Sequence, residues 1–82
     1  MRRNGLFSAE AEASYREALA LAHELGMRPL QAHCHLGLGQ INAQGKNARA
    51  ARSEILAANE LYGAMDMPFW VAKADLAVEA LR

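Results

Sequence analysis

Apolar side chains recur at intervals of three and four residues in four successive blocks, and a turn-forming residue closes each of the first three. The first block runs from about Ser8 to Leu25, with Ala11, Tyr15, Ala18, Ala22 and Leu25 on one side and Gly26 after it. Ser8 has the character of an N-cap, and Glu10 and Glu12 would sit favourably in a first turn. The second block spans about 29–44, opening at Pro29 and carrying Leu30, Cys34, Leu38 and Ile41. Proline suits a first helical turn and nowhere later in a helix. Gly45-Lys46-Asn47 forms the next turn. The third block, about 48–64, places Ala51, Ile55, Ala58, Leu61 and Tyr62 together. The fourth, about 68–82, has Pro68 in its first turn, Asp66 as its expected cap, and a stripe of Trp70, Ala74, Ala77, Val78 and Leu81. Four helices are therefore expected in a single domain over 8–82, after an N-terminal extension of residues 1–7. The expected packing core includes Tyr15, Leu30, Cys34, Leu38, Ile55, Trp70 and Val78.

The blocks also repeat one another. Moved forward by 40 positions, Ala11, Ala18, Leu21, Met27, Ala32 and Leu36 fall on Ala51, Ala58, Leu61, Met67, Ala72 and Leu76. Tyr15 falls on Ile55, Leu25 on Met65, Leu30 on Trp70, Leu38 on Val78 and Ile41 on Leu81. Apolar or small character is kept along the whole overlap without a gap. A period of this size points to stacked antiparallel helical hairpins, in which each unit buries its apolar face on its neighbour.

Composition agrees with an all-α fold. Of 82 residues, 52% are hydrophobic but only 6% aromatic, alanine supplies much of the apolar count, and threonine is absent. Four β-branched residues, Ile41, Ile55, Val71 and Val78, are too few for a sheet protein. Nine basic and nine acidic residues cancel, which gives no overall attraction to nucleic acid or to an anionic membrane. The single cysteine, Cys34, cannot form an internal disulfide and suits a reducing cytoplasm. No apolar run approaches the ~20 residues of a membrane span, and the N-terminus lacks the apolar segment of a signal peptide.

His33-Cys34-His35 is the one stretch that suggests metal chemistry. On a helix successive residues turn by about 100°, so the two imidazoles diverge by roughly 200° and cannot grip one ion. Cys34 falls on the apolar stripe and matches Ala74 in the repeat, as a small core residue would. Gly39 to Asn47, GQINAQGKN, imitates a phosphate loop, but its glycine spacing is wrong, Asn47 stands where a hydroxyl should be, and a helix precedes it. Gly37 and Gly39 fit better as points of close helix approach. Glu12 with Arg16 is ordinary helix-surface pairing. Phe69 and Trp70 are adjacent, so one helix face cannot bury both; Met27, Met65 and Met67 gather at the corresponding hairpin junctions. No catalytic set, no metal site and no cofactor site is expected. The competing readings are a small helical DNA-binding regulator, which lacks a basic helix, and a metal-binding protein built on His33 and His35.

Certain phrases resemble tetratricopeptide repeats. Ala11-Tyr15-Ala18 and Ala51-Ile55-Ala58 reproduce the small–large–alanine spacing of the second helix of such a repeat. Leu36-Gly37 or Leu38-Gly39, followed by Ile41, resembles the first helix. The period here is 40 rather than the usual ~34, and Gly63 stands where a proline would close a unit. YREALALAHELGMRPLQAHCHLGLGQI and LYGAMDMPFWVAKADLAVEAL are also similar to degenerate repeats at the C-terminal end of bacterial nucleotide-cyclase-like and regulatory ATPase signalling proteins, whose catalytic motifs do not occur here. The resemblance implies a right-handed superhelical stack acting as a non-catalytic interaction module or scaffold, and a piece of a larger signalling protein. It also implies a concave face lined by His35, Asn42, Asp75, Glu79 and Arg82 that takes a protein or peptide partner. Because the first helix lacks its own hairpin partner, self-association or contact with neighbouring repeats is expected.

Overall fold

The computed structural model describes the backbone of residues 2–81 and the side chains of residues 9–81. It is all-helical: α1 (Arg2–Leu25), α2 (Arg28–Gln44), α3 (Ala48–Ala64) and α4 (Pro68–Glu79), with no strand among the described residues. Two ends differ from the sequence expectation. Helix α1 begins at Arg2, so residues 2–7 are helical and Ser8 lies inside the helix rather than capping it. No proline stands there to interrupt the backbone ladder. Helix α4 stops at Glu79, and Ala80 and Leu81 form a turn.

The three connections share one backbone design. Gly26, Lys46 and Asp66, spaced by twenty residues, take the left-handed conformation, with φ of 69°, 63° and 57°. In each case the next N–H donates back five residues: Met27 to Ala22 and Asn47 to Asn42 at 2.9 Å, Met67 to Tyr62 at 3.0 Å. The left-handed residues themselves donate to the carbonyls of His23, Ala43 and Gly63. This is the two-bond closure that satisfies orphan carbonyls at a helix C-terminus. Asp66 is thus the left-handed residue of that closure and not the cap of α4, whose N-cap, Met67, makes no side-chain bond. Of α2, α3 and α4, only α3 has a side-chain cap, with Asn47 accepting from Ala50 N–H.

Such tight turns force consecutive helices to run antiparallel. Tyr15 of α1 meets Gly37 of α2, Ile55 of α3 meets Gly39 of α2, and Asn59 of α3 meets Asp75 of α4. The α2–α3 seam is the most extensive. Helix α2 is buried almost all round its middle, from Gln31 to Gly39, because α1 and α3 grip opposite sides of it. Ala32, Leu36 and Gly39 face α3, where Ala51, Ile55, Ala58 and Tyr62 complete the buried layer. Gly37 and Gln31 face α1; the Gln31 amide donates to the Ala22 carbonyl at 3.3 Å. Both glycines are close-approach points, since a Cβ on either would stand 2.4 Å from a side-chain carbon of the facing helix.

Among the expected core residues, Cys34, Leu38 and Ile55 are fully buried, and Trp70 and Val78 pack on the core from its edge. Leu30 and Tyr15 are not core: they are 36% and 37% exposed. Tyr15 nevertheless packs its ring against Gly37 of α2. The molecule is a slab of 39 × 31 × 17 Å. Its radius of gyration, 12.6 Å, exceeds the ~11.7 Å of a compact chain of this length.

Candidate interaction surface

The two histidines that raised the metal question act as latches on the shoulders of the α2–α3 seam. Counting 100° per residue, His33 and His35 lie about 90° and 70° to either side of the direction in which α2 meets α3. His33 Nδ1 is hydrogen-bonded to the Tyr62 hydroxyl at 2.6 Å, and His35 Nδ1 donates to Glu54 Oε1 at 2.7 Å. The rings therefore have separate partners on α3. No group of three or more His, Cys, Asp or Glu able to hold a metal ion occurs among the described residues.

The His33 latch is part of an aromatic cluster drawn from three helices. The His33 and Trp70 rings meet edge-on with centroids 4.6 Å apart, and Tyr62 stacks near Trp70 at 5.7 Å. The first contact links the N-terminal turns of α2 and α4 beside Tyr62 of α3. Phe69 meets Trp70 edge-on at 5.4 Å and projects outward, 67% exposed. The Lys73 ammonium lies 5.6 Å from the Phe69 centroid and 5.7 Å from that of Trp70, within range of the attraction between a cation and a ring quadrupole. The cluster thus grades from a buried, hydrogen-bonded Tyr62 to an exposed aromatic–cationic strip. Burial holds the Tyr62 hydroxyl above its ordinary value of 10.0, and the nearby Cys34 adds to the shift. Burial likewise raises the Cys34 thiol above 9.0.

Three of the residues expected to line a concave face already have hydrogen-bond partners within the chain. His35 is half-buried and committed to Glu54. Asn42 donates to the Leu38 carbonyl of its own helix at 2.9 Å. Asp75 is exposed but accepts a 2.6 Å bond from Asn59. Glu79 is exposed in the last turn of α4, and Arg82 lies outside the described residues. A helical wheel treats each helix alone, so it cannot say which polar residues a neighbouring helix will claim. Phe69 and Trp70 stood out in the sequence, but their meeting with His33, Tyr62 and Lys73 did not, because it depends on the α2–α4 placement. No side-chain polar atom is buried without a partner among the described residues.

No protein-family model, curated protein or solved structure matches the chain. No helix among the described residues is long and apolar enough to cross a membrane.

Proposed function

We propose that this chain is a non-catalytic interaction module of tetratricopeptide type, belonging to a larger cytoplasmic signalling protein, and that it binds a peptide segment of a protein partner on the Phe69–Trp70–Lys73 strip. The observation that carries the reading is Phe69: a phenyl ring left 67% exposed beside Trp70 under a lysine ammonium. An exposed aromatic next to a fixed cation matches a segment with an apolar side chain flanked by a carboxylate. Tryptophan is among the residues that dominate the energetics of interfaces, and Trp70 lies at the edge of this strip. The polar side chains at the seams support a non-catalytic role, since His33, His35 and Gln31 spend their hydrogen bonds tying helices together.

The chain has one tryptophan, so Trp70 reports binding directly by fluorescence. Selection from a displayed peptide library should yield acidic–apolar segments that perturb Trp70 emission. Phe69→Ala and Lys73→Glu should each weaken those peptides by roughly tenfold, the scale of a single interface anchor. Peptides that bind equally well to both variants, or a library that yields none, would show the strip to be ordinary surface.

A further inference from the structure

We infer that the two ends of the slab are complementary and that copies of this chain dock head to tail, the outer face of α4 in one copy seating on the outer face of α1 in the next. The inference rests on the helical repeat and not on the peptide-binding strip.

The repeat allows each end to be compared with its covered counterpart inside the same molecule. At the α4 end, Leu76 matches Leu36 of α2. Leu36 lies under α3 and is 7% exposed, whereas Leu76 has no helix over it and is 70% exposed. Ala72 and Ala32 differ in the same sense, the first exposed and the second fully buried. At the α1 end, Leu21, Leu25, Met27 and Leu30 match Leu61, Met65, Met67 and Trp70. The latter four pack on the core cluster to which α2 contributes Ala32 and Leu36. The former four are exposed, Leu25 by 62%. The face of α4 is therefore a second copy of the face α2 turns toward α3, and the face of α1 is a second copy of what receives it. The internal α2–α3 interface is a template for joining one chain to the next.

The exposed area agrees with this. The accessible surface is 5445 Å², against about 4,800 Å² expected of a compact monomer of this mass. The excess of about 600 Å² goes with an elongated shape whose end faces are uncovered. Because the contact is heterologous it does not close on itself, and it extends a two-copy complex into longer stacks. One position departs from the template: Glu79 stands where α2 has Gly39, opposite the counterpart of Ile55, which is Tyr15. It falls in the last turn of α4, and Glu79→Gly should tighten the joint.

Sedimentation velocity and light scattering on the full chain test this. The wild type should show a mass above the 8.9 kDa of one chain, rising with concentration. Leu76→Glu spoils only the α4 end and Leu25→Glu only the α1 end, so each alone should stay at single-chain mass. Mixed, they retain one good end each and should give a complex of one copy of each that grows no further. Both leucines are exposed, and circular dichroism would confirm folding; if a glutamate unfolds the chain, Leu76→Ala and Leu25→Ala carry the same test. A wild type that stays single-chain at every concentration would overturn the inference. Either variant associating by itself would also overturn it, by showing a symmetric contact, as would a mixture that forms no complex. None of these results depends on Phe69 or Lys73.

Discussion

Gly39→Ala and Gly63→Ala add the same methyl group to the middle or last turns of two helices, and the structure assigns them opposite signs. Alanine is intrinsically better than glycine in a helix by about 0.8–1 kcal/mol, chiefly because it leaves the unfolded chain less freedom. At Gly63 nothing lies within 4 Å of the new carbon, so that gain should be realised nearly in full. At Gly39 the new carbon would stand 2.4 Å from Ile55 Cγ1 and 3.2 Å from both Ile55 Cδ1 and the Ala51 carbonyl oxygen. Ile55 is 1% exposed and has nowhere to swing, and a backbone carbonyl moves only if the helix moves. Overpacking of this kind costs about 1–3 kcal/mol, and the backbone contact places Gly39 toward the upper end. The net expectation is a loss of about 2 kcal/mol at Gly39 and a gain of just under 1 at Gly63. For a domain of this size each kcal/mol moves the melting temperature by about 4–8 °C. Thermal denaturation followed by circular dichroism, at a concentration low enough to keep the chain single, should separate the variants clearly. A double mutant with Ile55→Ala identifies the cause, since removing the clashing branch should make the pair less damaging than the sum of the singles by about 1 kcal/mol or more. Should Gly39→Ala raise the melting temperature as Gly63→Ala does, or should the two seam mutations simply add, the close α2–α3 approach is not what this glycine provides.

Lys46 takes the left-handed conformation without being glycine, so Lys46→Gly should stabilise by roughly 0.5–1 kcal/mol, read from urea midpoints. The same change at Asp66 should yield less, because aspartate tolerates that region better. Tyr62→Phe removes the hydroxyl bonded to His33 and should cost about 1–2 kcal/mol near neutral pH, more than Tyr15→Phe at the exposed side of α1. Cys34 and Tyr62 both hold their protons more tightly folded than unfolded, so their contribution is complete below the unfolded values of 9.0 and 10.0. It is lost as pH rises from those values toward the raised folded ones. Urea melts from neutral pH upward should therefore show stability declining above about pH 9, with Cys34→Ala delaying the onset and Tyr62→Phe flattening the later part. A wild type equally stable on both sides of that range would show that neither group is buried as described.

The sequence determined the helices and their order by itself, because local physics sets them. The three- and four-residue spacing of Ala11, Tyr15 and Ala18 or of Ile55, Ala58 and Tyr62 is readable along one chain, and Gly26, Pro29 and Pro68 punctuate it. The forty-residue shift also lined up the apolar and small positions of α1 and α2 with those of α3 and α4. The wheel gave the right answer for Cys34, Leu38 and Ile55, which lie where two helices close on a third. It misjudged Leu30 and Tyr15, which stay partly exposed although Tyr15 packs on Gly37. It offered His35 and Asp75 as free polar contacts, when Glu54 and Asn59 from α3 already hold them. The three identical turns were only partly visible, because lysine and aspartate carry no sign of a left-handed backbone when the closure around them imposes it. The tertiary structure decided which faces are covered, and so it alone joined His33, Tyr62, Trp70, Phe69 and Lys73 into one cluster. Side-chain contacts across helices depend on where each axis lies, and no single helix's periodicity contains that distance.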